Sequence, residues 1–440
     1  MHSNIIRLLV IGFLLSSCGV SKKTTNPKVR SALDELLNAP ELATAHIGVS
    51  VYDPSTQKWL IGHQENKFFL PASNTKIPTC YAGLKYLGDS IVGMEYMIDD
   101  DEIAVKFTGD PSFLHPDFKQ QPAFDLLKKY NDRITIFASN WKANSWGNGW
   151  AWNDFSAAYM PERSPMPIYG NTIRFRQQGA SIQVTPRSFK DSLTFFAQVA
   201  GGQFAIRRKR YDNSFELVES RSKFSGDEIP FTVKNEPDEV SVKLLEDTLE
   251  TLIPYIDATE LQQANWKPLK TQATDSLLKI MMHRSDNFFA EQTLLMSAYQ
   301  KLGVLSDVAM IDTMLKSDFA SLLQKPRWVD GSGLSRYNLF TPQSLVGILD
   351  LMRKEFEWRR IQAIFPTGGK GTLSGYYKNL SGKIFAKTGT LNGQVALSGY
   401  LETATGKTLI FSVLVNNHNQ SAPRVRQLVE QFLQSVYNQY

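Results

Sequence analysis

Phe-Leu-Pro-Ala-Ser-Asn-Thr-Lys, Phe69 to Lys76, followed by apolar residues at Ile77, Tyr81, Leu84 and Leu87, is the stretch on which the reading of this chain turns. Those apolar positions recur at helical spacing as far as Gly88, so the stretch reads as a loop entering an α-helix, with Ser73 at the helix N-terminus. A serine and a lysine three residues apart then share one face, about one turn from each other. The positive end of the helix dipole favours anionic chemistry there. The pair alone says little, because the same spacing occurs at Ser55 and Lys58, Ser139 and Lys142, Ser220 and Lys223, and Ser276 and Lys279. What separates Ser73 is its Pro-Ala lead-in, the helix behind it, and what lies elsewhere in the chain.

On the N-terminal side, His46 to Asp53 alternates as a strand, Asp53-Pro54-Ser55-Thr56 is a turn, and Lys58 to His63 reads as the returning strand. A two-stranded hairpin needs sheet neighbours. Ile384 to Thr388, Val395 to Glu402 and Thr408 to Val415, three strand-like segments near the other end, can supply them, with Val425 to Tyr437 as a closing amphipathic helix. The expected architecture is one α/β domain built from both chain ends, residues 29–90 and 258–440, with helices at Thr274 to His283, Phe288 to Leu302 and Thr341 to Phe356. Residues 91–257 have another texture. Short alternating segments (Ile103 to Phe107, Ile134 to Phe137, Ile182 to Val184) are broken by Gly, Pro, Asn and Asp, which predicts a β-rich inserted region. Its aromatic stretch, Trp146 to Phe155 with Trp150 and Trp152, offers a sugar-binding platform or a small core; clustered tryptophans favour core.

The 440 residues, 42% hydrophobic and 21% charged, suffice for two or more packed domains. At the start, Arg7, the run Leu8 to Leu15, and Leu15-Ser16-Ser17-Cys18 read as an export signal (1–17) ending in a bacterial lipoprotein box. Eight apolar residues are too few to span a bilayer, which needs roughly 20. Cys18 is the expected lipidation site, residues 18–28 the tether, and the periplasmic face of the outer membrane the expected location. Cys80 is the remaining cysteine, so the mature chain has no intramolecular disulfide framework, and in its apolar surroundings it reads as a small hydrophobe. A net charge of +5 with one basic run, Arg207 to Arg210, lacking interleaved aromatics argues against nucleic acid. The six histidines form no H-E-x-x-H, and there is no Gly-rich phosphate loop, so no metal or cofactor is expected.

Two further elements follow Ser73 in order: Ser285-Asp286-Asn287 and Lys387-Thr388-Gly389-Thr390. S-x-x-K, S-D-N and K-T-G in this order mark the penicillin-recognising serine peptidases and the class A β-lactamases. Here 212 residues separate the first two motifs, which requires a large insert. In that respect the chain resembles the class C low-molecular-mass penicillin-binding proteins, the D-Ala-D-Ala carboxypeptidase and endopeptidase family. Asp330 to Arg336 (DGSGLSR), Gly109 to Ser112, Ser285 to Glu291 and Gly371 to Leu373 resemble further family segments, although Lys370 is basic where an acidic residue is expected. The resemblance implies a β-lactamase/DD-peptidase-like transpeptidase domain, an antiparallel sheet flanked by helices, acting on peptidoglycan stem peptides and acylated by β-lactam antibiotics.

A serine hydroxyl needs a base at pH 7, and Lys76 is the nearest candidate. Its ordinary pKa of about 10.4 forbids that role unless burial and a second cation, Lys387, disfavour the ammonium. Ser285 then relays a proton to the leaving amine, while Asn287 meets the substrate and steadies Lys76. Ser285 to Asn287 also suit a helix cap, and both roles can hold together. By resemblance, Lys387 supplies positive potential, Thr388 grips the terminal carboxylate, and the N–H groups of Ser73 and Thr390 form an oxyanion hole. Gly389 permits close approach. Asp330 to Arg336 reads as a tight structural loop. The rival readings are a β-lactamase, for which no E-x-x-L-N-like element is present, and a non-catalytic wall-binding or antibiotic-sensing lipoprotein, against which the intact motifs argue.

Overall fold

The computed structural model describes residues 26–179, 181–196, 204–218, 224, 226–233, 239–257 and 265–440. The signal-like segment, Cys18 and the tether as far as residue 25 lie outside the described residues. Pro27 and Lys28, assigned to the tether from sequence, instead form the first turn of helix α1 (Pro27–Leu37). Asn26 caps it, its Oδ1 accepting from the N–H groups of Lys28 (3.1 Å) and Val29 (3.3 Å), and proline at the first helical position lacks the N–H that would go unpaired there. Val29, Leu33 and Leu36 make its buried stripe.

Strands β1 (His46–Asp53) and β2 (Lys58–His63) form the expected hairpin. Helix α2 (Lys76–Tyr86) follows and is buried along most of its length. The chain then leaves this body. Strands β3 (Ser90–Asp99) and β4 (Glu102–Phe107), helix α3 (Pro122–Tyr130) and β5 (Ile134–Phe137) begin a separate sheet. β6 (Thr172–Gln178), β7 (Ser181–Thr185), β8 (Leu193–Phe196), β9 (Ala205–Arg208), β10 (Phe215–Val218) and β11 (Asp227–Pro230) make two three-stranded sheets, ordered β11-β6-β7 and β8-β10-β9. Helix α4 (Glu239–Leu249), β12 (Tyr255–Ile256) and β13 (Lys267–Ala273) complete the excursion, whose first sheet has the order β12-β5-β4-β3-β13. β13 pairs antiparallel with β3, from Lys267 opposite Tyr96 to Ala273 opposite Ser90. Sequence reasoning put this strand with the 258–440 half, because Lys-Pro-Leu-Lys-Thr-Gln-Ala shows no alternation to announce it. The insert has its own core, around Val105, Ile136, Phe175, Phe215, Phe231 and Leu245. The tryptophans expected in such a core are absent from it: Trp152 is 71% exposed, and Trp146 and Trp150 are half-buried.

Helices α5 (Thr274–Arg284), α6 (Asn287–Leu302), α7 (Asp307–Lys316), α8 (Pro342–Glu355) and α9 (Trp358–Ile364) return the chain to the first body. Strands β14 (Ile384–Leu391), β15 (Gln394–Glu402) and β16 (Thr408–Asn416) and helix α10 (Ala422–Gln439) close it. The sheet order is β14-β15-β16-β1-β2, every pair antiparallel, with β1 of the N-terminal hairpin set against β16 from His46 opposite Asn416 to Tyr52 opposite Ile410. Because side chains alternate across a strand, Leu397, Val413 and Val51 face α1 and α10, packing on Leu33, Val425 and Phe432. Ala396, Tyr400 and Leu414 face the opposite way, onto Ile77 and Tyr81 of α2 and Leu345 of α8. Burial on both faces explains why β16 is apolar almost throughout. β14 is left at the sheet edge, beside the loop that carries Ser73.

Candidate active site

Ser73 sits in a 3₁₀ turn, Ala72–Thr75, that runs directly into α2 at Lys76. The turn is tied down from several directions. Phe69 exchanges backbone hydrogen bonds with Phe340 (2.9 and 3.0 Å). The side chain of Asn416, at the end of β16, accepts from Leu70 N (2.7 Å) and donates to Leu70 O (3.1 Å). Asn74 Nδ2 donates to the Lys387 carbonyl at 2.9 Å, joining the turn to β14. Ala72 itself has φ +48°, a left-handed conformation that a non-glycine residue holds only when its surroundings dictate it.

Lys76 is fully buried. Its Nζ donates to Ser73 Oγ (3.2 Å), Asn287 Oδ1 (2.6 Å) and the Ser332 carbonyl (2.7 Å). Burial brings its pKa down to about 8, opposed by the carboxylates of Asp330, Asp286 and Glu291. The expected mechanism of that depression needs correcting in one respect. Like-charge repulsion between the two lysines falls on Lys387, whose pKa is pushed well below the ordinary lysine value by burial first, then by Lys76 and Arg426.

Ser285 ends α5 in a left-handed conformation (φ +61°), and Asp286 is the N-cap of α6, its carboxylate accepting from Phe289 N at 2.9 Å. The cap therefore belongs to Asp286, and it aims the residues on either side into the cleft. Asn287 bridges: its Oδ1 takes the Lys76 hydrogen bond, and its Nδ2 donates to the Tyr159 carbonyl (2.8 Å) in the inserted region. Ser285 Oγ accepts from Lys387 Nζ at 2.9 Å. Thus the motif serine is linked to the K-T-G lysine, where sequence reasoning placed it beside Lys76.

On β14, Lys387 is fully buried, and its Nζ also donates to the Thr388 carbonyl at 2.8 Å. Thr390 lines the cleft with its Oγ1 held by Arg426 of α10. Gly389 faces the nucleophile turn so closely that a Cβ there would lie 2.7 Å from the Pro71 carbonyl oxygen and 3.1 Å from Ala72 Cβ. Any side chain must push β14 away from Ser73. Gly389→Val is expected to cut kcat/KM by about two orders of magnitude, the scale on which misplacing one oxyanion donor acts. Near-normal turnover by the folded variant would contradict this placement.

The floor is built by residues outside the expected catalytic and substrate-binding set. Asp330 is fully buried and gathers five donors: Gly333 N (2.9 Å), Asn338 Nδ2 (2.7 Å), Ser335 N (2.7 Å), Trp150 Nε1 (3.0 Å) and Ser332 Oγ (3.4 Å). It folds Asp330 to Arg336 into the loop that presents the Ser332 carbonyl to Lys76. Gly333, at φ +87°, lets that loop pass the turn; a Cβ would stand 2.0 Å from Ala72 O. Glu291 accepts from Ser332 N (2.8 Å) and from Arg163 (3.1 Å), and Arg163 also pairs with Asp307 (2.7 Å). This buried cluster locks the insert onto α6 and α7, and burial raises the Glu291 pKa to about 7. Above the floor lies a cleft of about 580 Å³ lined by Ser73, Ser285, Asn287, Asp154, Arg336 and Thr390, among others.

A buried lysine poised on a serine, beside a strand edge carrying a second buried lysine, defines a serine acyl-transferring peptidase of the penicillin-recognising class. Residues 29–436 match the model of the D-Ala-D-Ala carboxypeptidase 3 (S13) family. The chain belongs to that family. It is 24% identical to the D-alanyl-D-alanine carboxypeptidase DacB of Haemophilus influenzae, over 90% of this chain and 91% of that protein. With the D-alanyl-D-alanine carboxypeptidase of Actinomadura sp. (strain R39) it shares 25% identity over 90% of this chain and 82% of the relative. The crystal structure of penicillin binding protein 4 (dacB) from Haemophilus influenzae superposes with a TM-score of 0.70 at 20% identity, covering 93% of this chain and 98% of the other.

Proposed function

We infer that this protein hydrolyses the D-alanyl bond of peptidoglycan stem peptides through an ester on Ser73. The observation that carries the reading is the Lys76 ammonium site, buried, depressed to about 8 and 3.2 Å from Ser73 Oγ. Neutral Lys76 takes the hydroxyl proton as Oγ bonds to the carbonyl carbon, and the oxyanion rests on the N–H groups of Ser73 and Thr390. As the C–N bond breaks, the proton that Lys76 took from Ser73 passes by way of the Ser285 hydroxyl to the departing D-alanine amine, which returns Lys76 to its neutral form. Water then hydrolyses the ester with Lys76 again as base. Lys387 has a hydroxyl and a carbonyl for partners but no counter-charge. A substrate's terminal carboxylate, held by Thr388, supplies it. A cross-linked dimer presents an amide at the same position, so endopeptidase action belongs to the same proposal, and a β-lactam amide acylates Ser73 by the first half of the reaction.

The test is to incubate the protein with purified muropeptides and follow products by mass spectrometry. Loss of one alanine from pentapeptides establishes carboxypeptidase action, and conversion of cross-linked dimers to monomers establishes endopeptidase action. Intact muropeptides would sink the reading. No helix among the described residues is long and apolar enough to cross a membrane. The lipoprotein box carries the proposal that the chain is exported and held at the periplasmic face of the outer membrane through acylated Cys18. Palmitate labelling of the wild-type chain is expected to disappear in Cys18→Ala, and persistent labelling would overturn the assignment.

A further inference from the structure

A second cavity, of about 840 Å³, adjoins the catalytic cleft on the side of the inserted region. Trp146, Trp150, Trp152, Phe155, Arg210 and Tyr211 line it. Ala151 and Met160 border both spaces, so the two adjoin across these residues. Its size falls in the range of roughly 300–1,000 Å³ typical of ligand sites, and its lining, mostly aromatic with a few polar groups, is theirs too.

The rings are not spare core. Trp152 is 71% exposed and Tyr211 83% exposed, and both line the cavity. Large exposed aromatics in a group are the informative exception on a protein surface. Arg210 organises them: its guanidinium lies 4.1 Å from the Trp152 ring centre, 5.5 Å from Phe155 and 5.8 Å from Tyr211. Its partners among the described residues are these rings, with no carboxylate in salt-bridge reach. The basic run that looked featureless in sequence is thus divided by the fold. Arg208 turns inward to the carbonyls of Pro230 (2.9 Å) and Phe155 (3.0 Å), which fixes the aromatic segment in place. Arg210 stays on the cavity wall with donors to offer.

We propose that this cavity is a saccharide subsite, which takes the N-acetylated amino-sugar end of the substrate while the stem peptide occupies the cleft. The proposal rests on the peptidase reading above. A stem peptide has its scissile bond at one end and its sugar at the other. With the carboxyl end committed to β14 and Lys387, the chain leaves across the wall formed by Ala151 to Asp154 and Tyr159 to Met160, and that wall is the rim of the cavity. Sugar rings present C–H faces that lie flat on tryptophan and tyrosine, and their hydroxyl and acetamide oxygens accept from a guanidinium, which has five donors and no acceptor. A lining with a single guanidinium, Arg210, a carboxylate, Glu162, and several aromatic rings suits such a neutral ligand better than a polyanion.

The experiment compares kcat/KM of the full-length protein for N-acetylglucosaminyl-N-acetylmuramyl pentapeptide and for the same pentapeptide without sugars. The glycosylated substrate is expected to be preferred about tenfold, equivalent to about 1.4 kcal/mol, and the Trp152→Ala/Tyr211→Ala protein to bring that ratio to about one. Calorimetric titration with the peptide-free disaccharide is expected to show binding to the wild type and none to the double variant. A wild-type ratio near one without disaccharide binding overturns the proposal. So does a ratio that survives the double substitution, or one reversed in favour of peptide alone, which would assign the cavity to peptide. If neither substrate loses alanine, it is the peptidase reading that fails, and the titration still decides the subsite.

Discussion

Ser73→Ala is expected to release D-alanine from pentapeptides on the order of 10⁶-fold more slowly than the wild type, the scale seen when a peptidase loses its nucleophile. Labelled penicillin should not attach to it at all. The physical argument starts from what the substitution leaves intact. Ser73 Oγ is one of three acceptors around Lys76 Nζ, and the other two, Asn287 Oδ1 and the Ser332 carbonyl, remain at 2.6 and 2.7 Å. The turn is held by Asn74 and Asn416, not by the serine hydroxyl. The variant should therefore fold, keep its cleft and still bind substrate, so that the loss appears in kcat with little change in apparent affinity. What survives is stabilisation of the oxyanion alone, the kind of residue that leaves a weak catalyst of direct attack by water. Retention of a tenth of wild-type turnover would show that the bond is broken without Ser73, and the assignment of the nucleophile would fall.

How far the sequence carries one to this site depends on the range of each interaction. Ser73 and Lys76 are three residues apart, and helical periodicity places them on one face without knowledge of the rest. Ser285, Asn287 and Lys387 could be named because their motifs are ordered, though not which partner each would meet. Ser285 meets Lys387, a pairing across 102 residues that no local pattern encodes. Asp330 is the clearest omission. Its neighbours Gly331, Ser332, Gly333 and Ser335 looked like an ordinary turn, and only the fold shows that the turn wraps around one buried carboxylate and delivers a carbonyl to Lys76. Arg163, Glu291 and Asp307 come from three separate elements, and their burial is visible only when the insert is docked. Helix α1 was a different kind of miss. Asn26-Pro27 followed by Val29, Leu33 and Leu36 carries a cap and a helical stripe, signals that a tether reading passed over. The tryptophans of residues 146–152 show the limit of composition, since ring count is the same for a core and for a binding wall.

The acylation rate is expected to climb about tenfold per pH unit below the Lys76 pKa, roughly 50-fold between pH 6 and pH 8, and to level off above about pH 9. The direction follows from the cause. Burial disfavours the ammonium and moves its pKa down to about 8, so the form able to accept the Ser73 proton is the one gained as pH rises. Asp330, Asp286 and Glu291 act in the opposite sense, which stops the pKa from falling further and keeps the base strong enough to work. Lys387 has no such carboxylates to support it, and burial, then Lys76 and Arg426, push its pKa well below the ordinary lysine value. Lys387→Gln should weaken binding of the terminal carboxylate while leaving the ascending limb near pH 8, because that limb belongs to Lys76, whose depression is caused by burial and not by Lys387. Lys76→Met should remove the limb altogether and lower the acylation rate by about three orders of magnitude, the general-base contribution typical of such a group being about 10² to 10⁴. Stopped-flow acylation with a chromogenic β-lactam from pH 5 to pH 10 reads all three proteins. A flat wild-type profile, or a limb that persists in Lys76→Met, would mean that some other group removes the serine proton. The hydrogen bond between Lys76 and Ser73 would then hold the nucleophile in place without activating it.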